Sequence, residues 1–187
     1  MSAVIDMRVW GRANDASFDN TAALASALAR RDKGEPLEAF FPAGDWHFSG
    51  PLPVEGNADF DNVTISGVFS GPSVQHQEEG GGGPKDRTRL IIAMNDKTHI
   101  WWNHTRSYRY GPLAFRDLTF KLSNLGSLFA FGDPASINHA AHTLRGLTFQ
   151  RCYLSSQFQY GSANVGDGRP WLIDAPDGQG WVLNRNN

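Results

Sequence analysis

Three six-residue segments share one pattern. Phe60-Asp61-Asn62-Val63-Thr64-Ile65, Phe115-Arg116-Asp117-Leu118-Thr119-Phe120 and Leu144-Arg145-Gly146-Leu147-Thr148-Phe149 all read apolar, polar, Asn/Asp/Gly, apolar, Thr, apolar. The second and third begin at Phe115 and Leu144, a spacing within the ~20–50 residues of one solenoid repeat. Inward side chains of a strand recur at every second position. Here two apolar residues stand three apart, so the phase shifts once. The shift falls beside Asn62, Asp117 or Gly146, residue types that tolerate the left-handed backbone. The pattern therefore predicts a corner at each, with Val63, Leu118 and Leu147 stacked in one buried ladder and the threonines facing out. The alternative is three unrelated strands of a β-sandwich, because short strand patterns are ambiguous.

Upstream, the chain reads as a helix followed by a broken strand. Asn20, or Asp19 before it, is suited to cap a helix, since its side-chain oxygen can accept from amides of the first turn. Leu24 and Leu28 then share a face with Ala23 and Ala27. Arg30, Arg31 and Lys33 sit at the end that favours cations, and Gly34 is a natural stop. In Phe40-Phe41-Pro42-Ala43-Gly44-Asp45-Trp46-His47-Phe48, Pro42 and Gly44 divide two short strands, and Trp46 and Phe48 share a face of the second.

Asp19-Asn20-Thr21, the Ala/Leu-rich run from Ala22 to Arg31, and Phe41-Pro42-Ala43-Gly44-Asp45-Trp46 together resemble the opening of the pectate-lyase-like superfamily. These are right-handed parallel β-helices found in polysaccharide lyases and bacteriophage tailspikes. The resemblance covers about a fifth of the chain. It implies an all-β solenoid with a short N-terminal capping α-helix, and a carbohydrate context.

Composition narrows the function classes. A chain of 187 residues can bury one core, and we read residues 1–187 as a single domain with a capping region over 17–34. The formal net charge of −2 gives no reason to expect a nucleic-acid partner. The single cysteine, Cys152, forms no intrachain disulfide and reads as a small buried residue. No run of 18 apolar residues exists, so membrane insertion is not expected. Met1 to Arg12 lacks the pattern of a signal peptide. That points to a protein reaching sugar by another route, such as release within a virion. Met1 to Trp10 alternates weakly, as a first strand or docking arm. Further strands are expected at Thr88 to Ala93, Lys97 to Trp102, Ser127 to Phe131, Pro170 to Asp174 and Trp181 to Leu183. Residues 71–86, with Gly80 to Gly83, read as a flexible loop insertion, and Asp133 to His142 as a second loop or short helix.

Three groups of side chains are candidates for chemistry. The first is Trp101, Trp102, Asn103, His104, Arg106, Tyr108 and Tyr110, with Arg109, Trp171 and Trp181 as further aromatic or basic neighbours. Sugars stack flat C–H faces on rings and bond hydroxyls to rim polar groups. Adjacent Trp101 and Trp102 should point to opposite sides of a strand, so at most one is expected in the core. The competing reading is plain packing. The second group is Asp133, Asp174 and Asp177, with Asp167. Glycoside hydrolysis usually needs two carboxyl groups across the scissile bond, but Asp-Pro and Asp-Gly pairs are also ordinary turns. The third is His99, His104, His139 and His142. No Cys pair or H-E-x-x-H accompanies them, so neither a metal nor a cofactor is expected.

Two classes of function follow, with a third behind them. One is a virion-associated, tailspike-like or fibre-like protein that binds host surface polysaccharide. Another is a lyase or glycoside hydrolase that degrades it. The third is a structural spike component without a ligand. Other virion proteins and two more copies of the chain are the expected partners. The expectation of a homotrimer rests on the tailspike resemblance and on Trp181-Val182-Leu183, which no evident C-terminal cap follows.

Overall fold

The alternation in Leu37-Glu38-Ala39-Phe40 gives a strand with one apolar face, and Pro42 withholds the donor that would extend it. The computed structural model describes residues 3–30, 35–52, 62–69, 87–94, 100–104, 109–110, 112–123, 127–131, 143–144, 146–156, 171–174 and 181–182. In chain order it contains β1 (Ala3–Asp6), a 3-10 turn (Met7–Val9), α1 (Thr21–Leu28), β2 (Leu37–Phe40), β3 (Gly44–Phe48), β4 (Val63–Ser66) and β5 (Thr88–Ala93). Next come β6 (Ile100–His104), β7 (Arg109–Tyr110), β8 (Leu113–Arg116), β9 (Thr119–Ser123) and β10 (Ser127–Phe131). The last strands are β11 (Thr143–Leu144), β12 (Leu147–Gln150), β13 (Tyr153–Ser156), β14 (Trp171–Asp174) and β15 (Trp181–Val182).

The strands form sheets that the chain visits in rotation. The first sheet has the order β1-β2-β4-β8-β12, the second β3-β5-β9-β13, and the third β6-β10-β14-β15. A parallel bridge from Leu52 to Trp102 extends the third sheet by one position. From β2 onward the path runs first sheet, second sheet, third sheet, then back to the first. A two-stranded pair, β7 and β11, lies between the third sheet and the return. Pairing is parallel at every described ladder except β14 with β15, which is antiparallel. Parallel neighbours need a long crossover, usually a helix. Here the crossover is supplied by strands of the other sheets.

Register turns the sequence into columns. Leu37, Val63, Leu113 and Leu147 lie abreast, and so do Ala39, Ile65, Phe115 and Phe149. In the second sheet Trp46, Leu90 and Phe120 align, then Phe48, Ile92 and Leu122. All of these are buried except Leu147 and Phe149, which are half-buried on the last strand of the first sheet. Fully burying one such side chain stabilises by roughly 1.5–3 kcal/mol relative to leaving it exposed. Phe115, Phe120 and Phe149 are mutual neighbours, with Phe149 stacked on Phe115 at 5.3 Å.

The N-terminal edge of the second sheet is sealed by one segment. The Asn14 amide donates to Asp45 O at 2.7 Å, and Asn14 Oδ1 accepts from Asp45 N at 3.0 Å. The Asn20 amide donates to His47 O at 2.8 Å. Asp19 Oδ1 accepts from the amides of Ser49 and Thr21 at 3.2 and 2.9 Å. Alternate residues of β3 and its extension thus find partners, as an edge strand requires. Asn20 is 0 % exposed; its side chain bonds Arg12 N, Arg12 O and His47 O rather than the helix. Of the two residues proposed as caps, Asp19 is the one whose side chain meets the first helical amide. Helix α1 buries Leu24, Leu28, Ala23 and Ala27, and Arg30 lies over the Trp10 ring at 5.0 Å.

Three expectations are corrected. The helix is described only to Leu28, short of Arg31. The three-segment repeat is mis-registered. Phe115 pairs with Phe149, not Leu144, and the column of Val63 and Leu147 contains Leu113, not Leu118. Asn62, Asp117 and Gly146 do have positive φ, at 65°, 60° and 73°. They occupy two different corners: Asn62 and Gly146 precede strands of the first sheet, and Asp117 joins the first to the second. The true counterpart of Asp117 is Arg151, also at positive φ. One turn preference serving both corners is what misled the alignment. Thr119 also does not face open solvent, being 4 % exposed.

The third correction concerns the tryptophans. Trp101 and Trp102 are both 0 % exposed. Trp101 packs edge-on against Phe48 and Phe120 at 5.5 and 6.3 Å, and Trp102 against Phe115 at 6.0 Å. The strict alternation of a strand fails here because the two rings reach the same interior, one towards the second sheet and one towards the first.

Candidate functional site

Outward positions of the first sheet form two columns of mostly polar side chains. One column holds Val4, Glu38, Thr64, Ala114 and Thr148, and the next holds Asp6, Phe40, Ser66, Arg116 and Gln150. Glu38 is its hub. Ser66 Oγ donates to Glu38 Oε1 at 2.6 Å, and Arg116 Nη2 lies 3.4 Å from Glu38 Oε2. Arg116 reaches across the intervening strand β4 to do so. Phe40 stands half-buried on the same face. Further ion pairs join neighbouring strands of the second sheet and its corner. Asp45 is bound by two nitrogens of Arg89, Nη2 to Oδ2 at 2.5 Å, and Asp117 by two of Arg151, Nη2 to Oδ2 at 2.7 Å. Such forked pairs fix which residues lie abreast as well as contributing energy.

Glu38, Asp45 and Asp117 are thus engaged. Burial alone would raise the Asp19 carboxyl, but bonds from the Thr21 and Ser49 hydroxyls and amides outweigh it and hold it below its ordinary value. Side-chain bonding by Arg8 likewise lowers Asp6. Burial pushes the Cys152 thiol up, and its Sγ donates to Phe115 O at 3.4 Å. Among the described residues no group of three or more His, Cys, Asp or Glu is placed to hold a metal ion. Nor is any helix long and apolar enough to cross a membrane.

The residues singled out for sugar contact are dispersed by this arrangement. Trp101 and Trp102 belong to the core and present no stacking face. Asn103 and His104 lie on β6 abreast of Ala130 and Phe131, and Tyr110 lies on β7 abreast of Leu144. Arg106, Tyr108, Asp133, Asp167, Asp177, His99, His139 and His142 lie outside the described residues, as do 31–34 and 71–86. Asp174 is on β14, abreast of Ala130. The Glu38–Ser66–Arg116 network was missed. Alternation in β2 already puts Glu38 and Phe40 on the face opposite Leu37 and Ala39. Its partners are 28 and 78 residues away, a pairing no local pattern carries.

No protein-family model, curated protein or solved structure matches this chain.

Proposed function

We propose that the chain is a right-handed parallel β-helix of the tailspike kind, capped by α1, and that it binds host surface polysaccharide as part of a virion. The observation that carries this reading is the rotation through three parallel sheets with in-register columns. Stacked columns of that kind build a rigid lateral wall of alternating outward side chains, suited to an extended polymer lying along it. Binding without cleavage is the favoured activity. Glu38, Asp45 and Asp117 are each held by an arginine, and Asp19 is held by four donors of the cap. A general acid needs instead a raised pKa and freedom to give its proton.

In this reading glycan contact includes Asn103, His104, Arg106, Tyr108 and Tyr110, while Trp101 and Trp102, buried in the core, do not touch the glycan. The protein acts as a homotrimer, its end strands β12 and β13 covered by other subunits or by further virion proteins. The test combines retention and product release. The assembled protein is incubated with purified capsule or lipopolysaccharide of candidate hosts, and bound protein and new reducing or unsaturated ends are both measured. Retention weakened by Tyr110→Ala or His104→Ala, with no new ends, supports the reading. Steady product release lost in Asp174→Asn makes the chain a depolymerase. Absence from purified particles, or a stable monomer by light scattering, removes the virion or trimer part respectively.

A further inference from the structure

We propose that the outer face of the first sheet carries a second sugar-binding patch, centred on Phe40 and built to take a neutral hexopyranosyl unit. The inference rests on the polysaccharide-binding reading and names a place and a ligand class within it. A phenylalanine at an outward strand position is the first observation. Its column is otherwise polar, with Asp6 and Ser66 abreast of it on either side. Phe40 is partly buried and keeps some surface to solvent; an apolar ring so placed is the kind of platform on which the C–H face of a sugar stacks.

The second observation is the fixed polar rim. Glu38 lies two residues before Phe40 and therefore on the same face. Its carboxylate is held from both sides, by the Ser66 hydroxyl at 2.6 Å and by Arg116 at 3.4 Å. A carboxylate has about four lone-pair sites, so acceptors remain for sugar hydroxyls. Arg116 has five N–H donors, only one of which meets Glu38. Its side chain is 39 % exposed and can donate to a hydroxyl oxygen. Because Ser66 and Arg116 fix Glu38 before any ligand arrives, little ordering is left for binding to accomplish.

Size and charge select the ligand. Phe40, Ser66 and Arg116 lie on three successive strands, so the patch spans about 10 Å, the scale of one or two pyranose rings. Charge around it is balanced: Glu38 against Arg116, and Asp6 against Arg8 at 2.5 Å. Among the described residues of this patch a polyanion would meet two carboxylates and no surplus cation. A neutral hexose meets a ring, acceptors and donors.

Affinity electrophoresis of the full chain tests this. Gels contain dextran, galactan or mannan as neutral probes and polygalacturonate as the acidic one. Retardation is expected in at least one neutral gel, weakened at least tenfold by Phe40→Ala and several-fold by Glu38→Gln, with thermal melting of both variants close to the parent. Retardation in polygalacturonate alone, in no neutral gel, or in a neutral gel but unchanged in both variants overturns the proposal. Retention on host polysaccharide that survives Phe40→Ala but is lost in Tyr110→Ala removes this patch while leaving the binding function. Loss of all glycan retention in the parent protein removes both.

Discussion

Replacing Gly67 by alanine puts a methyl group where there is no room for one. A Cβ at that position would lie 2.6 Å from Thr88 Cβ and 2.7 Å from both Thr88 Oγ1 and Leu118 Cδ2. Neither neighbour can simply swing aside. Leu118 is 1 % exposed, and Thr88 is 0 % exposed and locked by two bonds. Its hydroxyl donates to Phe41 O at 2.6 Å and accepts from Val68 N at 2.8 Å. If the backbone retreats instead, it strains the bond from Gly67 N to Arg116 O, 3.0 Å long. Overpacking of a filled core costs about 1–3 kcal/mol. Leaving a buried polar group without its partner costs about 1–3 kcal/mol more. Alanine restricts the unfolded chain and returns roughly 0.4–1 kcal/mol. The net expectation is a loss of about 1–5 kcal/mol, centred on about 3, a large share of the ~5–15 kcal/mol that holds a domain together. Urea denaturation followed by fluorescence of the buried tryptophans measures it. Two controls separate the causes. Gly50→Ala, whose Cβ would meet nothing nearer than 3.8 Å, should stay within about 1 kcal/mol of the parent. Thr88→Val keeps the shape and removes the hydroxyl, and should cost about 1–3 kcal/mol. A Gly67→Ala protein as stable as Gly50→Ala would refute the close approach of the two sheets at this corner.

Asp45→Asn leaves the Arg89 guanidinium, 9 % exposed, without its carboxylate. The loss should be about 2–3 kcal/mol, below the full cost of breaking a buried pair because Asp45 is 26 % exposed. Adding Arg89→Met should recover much of it in a double-mutant cycle; equal losses in single and double variants would show that the pair is not coupled. Asp19 has a folded pKa depressed below its ordinary 3.8, so the unfolded chain binds the proton more readily. Its contribution is therefore complete above pH ~4 and fades as pH falls through the lower folded value. The stability gap between parent and Asp19→Asn should narrow on acidification below pH ~4, and a gap that widens there contradicts the cap geometry. Cys152, with its thiol pushed up by burial, should react with iodoacetamide at pH 8 far more slowly in the folded than in the urea-unfolded protein. Equal rates would show the site open.

What could be read from the sequence was local. The division at Pro42 and Gly44, the shared face of Trp46 and Phe48, and strands at Thr88–Ala93 and Ser127–Phe131 all follow from nearest-neighbour patterns and match the structure. So does the positive φ of Asn62, Asp117 and Gly146. What failed depended on which strands lie abreast. The residue type favoured at a corner does not say which corner it serves, so Asp117 was aligned with Gly146 instead of Arg151. Burial of both Trp101 and Trp102 needs knowledge of what faces β6, namely Phe48, Phe120 and Phe115. Asn20 reads as a helix cap by type, yet its side chain serves the edge of β3, a role visible only once His47 is beside it. The Glu38 network has the same origin, since Ser66 and Arg116 become its neighbours only through register.

Register is therefore where the account is most exposed. Thr64 and Ala114 are outward-facing register partners on β4 and β8. Adjacent strands place Cα atoms about 4.8 Å apart, inside the ~4.4–6.8 Å window for a disulfide. Thr148 lies one strand further from Thr64 in the same column, beyond that window. In a Cys152→Ser background, the Thr64→Cys/Ala114→Cys protein is oxidised and its cross-linked peptides are identified by mass spectrometry. The parallel pairing of β4 with β8 in this register predicts a rapid intramolecular disulfide there, and none in Thr64→Cys/Thr148→Cys. No cross-link in the first pair, or equal cross-linking in both, would contradict it.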